Sequence, residues 1–293
     1  MFLKLKKRLR ERLLGRRFRQ GIQDDHVAIS RLGNLQYHAR HPGLVAPGHE
    51  PAFHAYEFSY FSQNGEDGLV LYLLSKIGVT SHYIVEIGIE DGRQCNSANL
   101  VLNFGWRGCV IESSPAWGGL ARQYFAKCGV TDRLRLLNVA ANPENVRELL
   151  GQAEVPEQAD VLSIDIDSFD YWLWKSIDTI SPRLVVIEYN ASFGPDRSVT
   201  VPYGQEGFPL SRYYHGASIT ALVRLGKRKG YVLAGCDSKG VNAFFVREDL
   251  AARAGIVAIA PERAWRPHFR RSRKLSPEQQ FRAIAGLPLQ QID

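Results

Sequence analysis

From about Phe58 onward, short apolar runs of strand length alternate with longer segments of helical period, and this alternation leaves the chain few architectures to choose from. YIVEIG (83–88), RGCVIE (107–112), RLRLLNVA (133–140), DVLSIDID (160–167) and RLVVIEYN (183–190) read as buried strands. Between them lie LVLYLLSKIG (69–78), with Asn64 and Asp67 as its caps, then NSANLVLNFG (96–105), WGGLARQYFAKCG (117–129), ENVRELLG (144–151) and SFDYWLWKSI (168–177), all helical in pattern. Past an irregular stretch comes a further helix, GASITALVRLGKRKG (216–230). It is followed by YVLAG (231–235) and NAFFVR (242–247), whose CDSKGV connection is too short for anything but an antiparallel pair. The expected fold is α/β and Rossmann-like, a mostly parallel seven-stranded sheet with a C-terminal antiparallel hairpin and helices on both faces.

A chain of 293 residues with 45% apolar content can bury a full core. Its four cysteines form no CxxC pair or zinc-type cluster, which predicts free thiols in a reducing compartment. No apolar run reaches the roughly 20 residues that a membrane span needs, and the charged N-terminus lacks the apolar stretch of a signal peptide, so a cytoplasmic location is expected. The net charge of +7 is unevenly placed: residues 1–20 hold nine Lys/Arg against one Glu, and the other 28 basic and 29 acidic residues nearly cancel. That distribution argues against a nucleic-acid partner for the core. Phe2, Leu5, Leu9 and Leu13 share one helical face of the basic arm, which suits either a peripheral membrane contact or packing on the body. Three regions follow: a basic arm and linker (1–57), the α/β domain (58–250) and a C-terminal extension (251–293) carrying Arg263, Arg266, Arg270, Arg271, Arg273 and Lys274.

In VEIGIEDG a strand ends in Glu86, turns through Gly88 and Gly92, and opens a helix near Asn96. Glycines let a backbone approach a ligand closely, while Glu90 and Asp91 in the turn would repel a pyrophosphate. A phosphate-free cationic cofactor, S-adenosylmethionine, fits this turn, with Glu86 facing its ammonium. Glu112 ends the next strand, where an acid can accept from both ribose hydroxyls, with Ser113 beside it. NAD-type dehydrogenases share such an acid and remain a competitor, weakened by the altered turn. An ordinary strand–turn–helix with solvated acids is the plainer alternative.

Asp165 and Asp167 end the fourth strand and Asp170 begins the next helix, at the edge where ligands bind in parallel sheets. Asp165 could hold the methionine part of the cofactor or orient a substrate hydroxyl, and Asp167 could equally cap the helix. The spacing is also similar to the metal-binding segment of caffeoyl-CoA and catechol O-methyltransferases, which implies Mg²⁺ with Glu188 and Asn190 as further oxygen ligands, a minority reading. Residues 191–215 form a long loop ending in His215, a candidate general base by its titration range, although a lone histidine is more often structural.

The runs FSQNGEDGLVLYLL, YIVEIG and GWRGCVIESSP resemble the FkbM-type S-adenosylmethionine-dependent methyltransferases, and LSIDIDSFDYWLW, IEYNASFGP and GVNAFFVR extend the likeness, which covers roughly residues 58–248. The resemblance implies a class I fold and methyl transfer to a hydroxyl of a small molecule or glycan. It implies cofactor contacts at Glu86, Gly88, Gly92, Glu112 and Asp165, with Gln63, Glu66 and Asp67 closing over the cofactor. Glu90 departs from the small residue usual at its position. The expected cofactor set is therefore Gln63, Glu66, Glu86, Gly88, Glu90, Gly92, Glu112, Ser113 and Asp165, and the catalytic pair is Asp165 and His215. Two other classes stay open: a non-catalytic module docked through its basic arm, and an RNA methyltransferase, which lacks any NPPY-like or cysteine-nucleophile motif.

Overall fold

Each central strand is apolar on both faces, so it must lie inside a sheet covered by helices on either side. The computed structural model describes residues 52–204 and 210–293, so the arm 1–20, most of the linker and the loop residues 205–209 lie outside the described part. Strands β1 (Tyr83–Ile87), β2 (Arg107–Glu112), β3 (Leu134–Asn138), β4 (Val161–Ile164) and β5 (Leu184–Glu188) are parallel. β6 (Val199–Thr200) is a short separate strand, and β7 (Tyr231–Cys236) and β8 (Asn242–Arg247) form the expected antiparallel hairpin. The seven-stranded sheet runs β3-β2-β1-β4-β5-β8-β7, a Rossmann-like arrangement in which β8 pairs antiparallel with β5.

Alternation along the strands divides two apolar layers. Val85, Ile87, Leu162, Ile164, Val185 and Ile187 face one side, and Ile84, Val161, Leu184 and Val186 face the other. The second layer is covered by α1 (Glu66–Ile77), α2 (Asn96–Phe104) and α3 (Pro115–Lys127). The first is covered by α4 (Val146–Gln152), α5 (Asp170–Ser176) and α6 (Ile219–Arg228), where Trp174 is 1% exposed. A side chain of that size, fully buried, contributes on the order of 3 kcal/mol.

Residues 251–293 continue through α7 (Glu248–Ala254), α8 (Pro261–Ala264), α9 (Pro277–Arg282) and β9 (Gln290–Gln291). They do not hang free: β9 pairs with β6, and Ser192 Oγ donates to Gln280 at 2.8 Å. Among the described residues no helix is long and apolar enough to cross a membrane, and Cys95, Cys109, Cys128 and Cys236 are free thiols.

The start of α1 differs from expectation. Its N-cap is Gly65, at φ 102°, and Asn64 contributes no side-chain cap. The helix's own acids do the capping in reverse: Asp67 Oδ2 accepts the amides of Tyr60, Phe61 and Ser62 at 2.7–2.9 Å, and Glu66 Oε2 accepts that of Asn64.

Candidate active site at the strand ends

Parallel strands end on one edge, so the turns after β1, β2, β4 and β5 converge there. A cavity of about 620 Å³ opens at this edge, within the range of pockets that take a small organic ligand. Its walls include Gln63, Gly88, Glu90, Glu112, Ser113, Asp165, Asp167 and Glu188.

Gly88 follows β1 at φ 88°, and a Cβ there would collide with the carbonyl oxygen of Asp165, so no other residue fits between the two turns. The register that sets Ile87 against Ile111 brings Glu112 beside this turn. Glu112 Oε2 accepts the amides of Ile89 (3.2 Å) and Glu90 (2.8 Å), and Oε1 accepts that of Ser114 (2.7 Å). Two turn amides that a pyrophosphate would need are thereby taken by a carboxylate, which weighs against a dinucleotide. Oε1 also accepts the Ser113 hydroxyl at 3.5 Å, a long bond that a ligand hydroxyl could replace. Trp117, 43% exposed, and the small residues Val139, Ala140 and Ala141 after β3 add an apolar wall. None of these four carries a chemical signature in sequence.

On the other side of Gly88, carboxylates crowd together. Burial first, then the charges of Glu188, Asp167 and Asp170, push Asp165 well above the usual carboxylate range. Asp167, held at φ 53°, is raised by burial and by Glu188, and Asp170 is pushed up to about 7 for the same reasons. Glu188 goes the other way: burial would raise it, but the hydrogen bond and charge of His215, with Arg271, hold it below its ordinary value. Its Oε1 lies 3.5 Å from His215 Nε2 and 3.8 Å from Arg271 Nη2, while Oε2 is buried without a partner among the described residues.

Four expected cofactor or catalytic side chains fall outside the cavity lining. Glu86 is a correction: its carboxylate accepts the amides of Asn96 (2.8 Å) and Ser97 (2.7 Å) at the start of α2, so it holds a helix rather than a ligand. Glu66 is spent on Asn64 and on Asn242 Nδ2, and Gly92 packs its open face against the Phe125 ring. His215 is 3% exposed, with Nδ1 on the carbonyl of Ser211 (2.8 Å) and Nε2 turned to Glu188, so it stands behind the cavity wall. Asp67 likewise serves its own loop.

Mg²⁺ finds a poor set of partners. Carboxylate oxygens of Asp165, Asp170 and Glu188 do come within 4.8 Å of one another, as do ligand atoms of Asp167, Glu188 and His215. Yet Asn190, an expected ligand, has its Oδ1 occupied by Ser192 N and Arg271 Nη1, and the Arg271 guanidinium already supplies positive charge at Glu188.

Arg271 and its neighbours His268, Phe269 and Arg270 are the lining that sequence reasoning missed. They come from the C-terminal extension, pinned where the amide of Phe269 donates to the carbonyl of Lys239 at 2.8 Å.

No family model and no curated relative matches the chain. Among solved structures, an O-methyltransferase from Bacillus cereus in complex with S-adenosylhomocysteine matches over 74% of this chain and 89% of its own, at 16% identity and TM-score 0.40. A magnesium protoporphyrin IX methyltransferase from Synechocystis with bound S-adenosylmethionine matches over 62% and 77%, at 12% identity and TM-score 0.40. A protein from Galdieria sulphuraria described as a sarcosine dimethylglycine methyltransferase is similar over 57% of this chain, at 15% identity and TM-score 0.39, and the chain spans only 62% of its length. Likeness at this level does not establish a family.

Proposed function

We propose that this chain is an S-adenosylmethionine-dependent methyltransferase acting on a hydroxyl of a small molecule or glycan. The observation that carries the reading is the cavity itself: a glycine turn whose amides are satisfied by Glu112, facing a crowd of carboxylates, in a sheet of Rossmann-like order. Such a surface suits a cationic, phosphate-free cofactor better than a dinucleotide.

Bound there, S-adenosylmethionine supplies an electrophilic methyl group on a sulfonium. Gly88 allows close backbone approach, Glu112 offers Oε1 to a ribose hydroxyl, and Trp117 with Val139–Ala141 provides the flat apolar wall for an adenine. Asp165, raised by burial and then by its acidic neighbours, hydrogen-bonds the amino-acid end or the acceptor. Glu188, whose Oε2 has no other described partner, takes the acceptor proton in this reading, and His215 acts through it as a positioning residue by holding Oε1. Alignment of donor and acceptor in a water-poor cavity supplies most of the rate. A cytoplasmic location with peripheral membrane contact through residues 1–20 belongs to the same proposal.

Calorimetric titration of the full chain with S-adenosylmethionine, S-adenosylhomocysteine and NAD tests the reading. Saturable binding of the first two is expected, with a matching rise in unfolding temperature. A response to NAD alone overturns it.

A further inference from the structure

The rim of the cavity at Phe269, Arg270 and Arg271 has the opposite charge from the strand-end carboxylates. Phe269, which lines the cavity, is ringed by three cations: Arg270 lies 5.1 Å from the ring centroid, Arg273 5.9 Å and Lys239 Nζ 5.9 Å. None of the three makes an ion pair with any described carboxylate, whereas Arg271 next to them does, with Glu188. Like charges gathered about one ring without a carboxylate partner repel one another, so an anion that arrives later stabilises the arrangement.

The rim is also held in place before any ligand comes. Its cations stand on two separate elements, the turn between β7 and β8 and the segment after α8, and the bond from Phe269 N to Lys239 O joins them. His268 Nδ1 accepts the amides of Arg270 (3.2 Å) and Arg271 (3.4 Å), which leaves the ring proton on Nε2, free to donate. Its ring stacks on Phe269 with planes 2° apart. Burial and the Arg271 charge keep His268 neutral, with its pKa down at about 4.

We propose that Lys239, Arg270 and Arg273 around Phe269 form an anion subsite, and that the acceptor carries a phosphate group held there while its hydroxyl faces the carboxylates. This rests on the methyltransferase reading of the same cavity. Several cations on one rim match a multiply charged phosphate better than one carboxylate. Phe269 and Arg270 line the cavity itself, with Arg273 and Lys239 gathered about the same ring, which favours a soluble phosphorylated small molecule over a lipid headgroup.

The test titrates inorganic pyrophosphate into the full chain saturated with S-adenosylhomocysteine, at low salt. The wild-type protein is expected to bind it saturably. The double variant Arg270→Gln/Arg273→Gln is expected to bind about tenfold more weakly or worse, with unchanged unfolding temperature. Absent binding, or equal binding by the two proteins, overturns the subsite, the latter meaning that the anion sits elsewhere, for instance on residues 1–20. Vesicles of phosphatidylglycerol form a second arm: a rim effect seen only with vesicles, and not with pyrophosphate, overturns the soluble acceptor. Failure of the wild-type chain to bind S-adenosylmethionine in a separate titration strikes the methyltransferase reading instead and leaves the pyrophosphate result standing.

Discussion

Nε2 of His215 lies 3.5 Å from Oε1 of Glu188, and the second oxygen of that carboxylate is buried at the cavity with no described partner. One oxygen is thus anchored, and the other is left without a described hydrogen-bond partner. Glu188→Gln is expected to lower methyl transfer about 10²-fold or more while leaving S-adenosylmethionine affinity unchanged. His215→Ala should cost less, about tenfold, and should move the acid limb of the pH–rate profile upward, because His215 is what holds the Glu188 pKa down. Transfer of labelled methyl from S-adenosylmethionine into cell extract measures both. An unmoved acid limb in the His215 variant sinks the positioning role.

Three buried aspartates tie stability to pH. Burial raises Asp67 to about 6, Asp170 to about 7 and Asp237 to about 8, all from an ordinary 3.8. A raised pKa means that the folded state holds more protons than the unfolded chain, so these groups favour folding most below about pH 4 and lose that contribution as pH rises through 6 to 8. His215, also raised, acts in the same direction above its ordinary 6.5; His268, lowered to about 4, opposes between about 4 and 6.5, one group against three aspartates, and Glu188, lowered, opposes below about 4.5. Denaturant unfolding should therefore give a higher midpoint at pH 5 than at pH 8. A flat or rising profile over that range contradicts the assignment.

The sheet was legible because apolar runs buried on both faces have no other stable setting, and the CDSKGV turn could only close an antiparallel pair. The roles of the strand-end acids were less so. Glu86 and Glu112 look alike in sequence, each closing a strand before a turn, yet Glu86 is consumed by the amides of α2 and only Glu112 borders the cavity. Whether a backbone amide or a ligand meets a carboxylate depends on a few degrees of turn geometry, which residue type does not encode. Arg271 was hidden for a different reason: it reaches Asn190 across 81 residues, and no local pattern marks a contact of that range.

Trp117 was read from sequence only as the first residue of a helix, and the structure stands it on the cavity wall, 43% exposed. An aromatic surface that open contributes little to folding, but stacking a nucleobase is worth about 1–3 kcal/mol. Trp117→Ala should weaken S-adenosylmethionine about tenfold, with an unfolding midpoint close to wild type. Equal affinity in calorimetry would move the adenine elsewhere.

Asp160 makes the converse case, a carboxylate whose loss harms the fold and spares the site. It is fully buried and accepts the amides of Thr80 (2.8 Å), Ser81 (2.9 Å) and His82 (2.6 Å), together with both hydroxyls of the first two. These bonds fix the connection from α1 into β1, at the end of the strand opposite the cavity. Removing the carboxylate strands three amides near the core, so Asp160→Ala should cost about 3–5 kcal/mol. Asp249→Ala, which breaks a largely exposed pair with Arg247, should change stability by under about 0.5 kcal/mol. Below its lowered unfolding temperature, the Asp160 variant should bind S-adenosylmethionine as the wild type does, since nothing it touches lines the cavity. A variant that unfolds at the wild-type midpoint would mean that water satisfies those amides and that Asp160 is no strut.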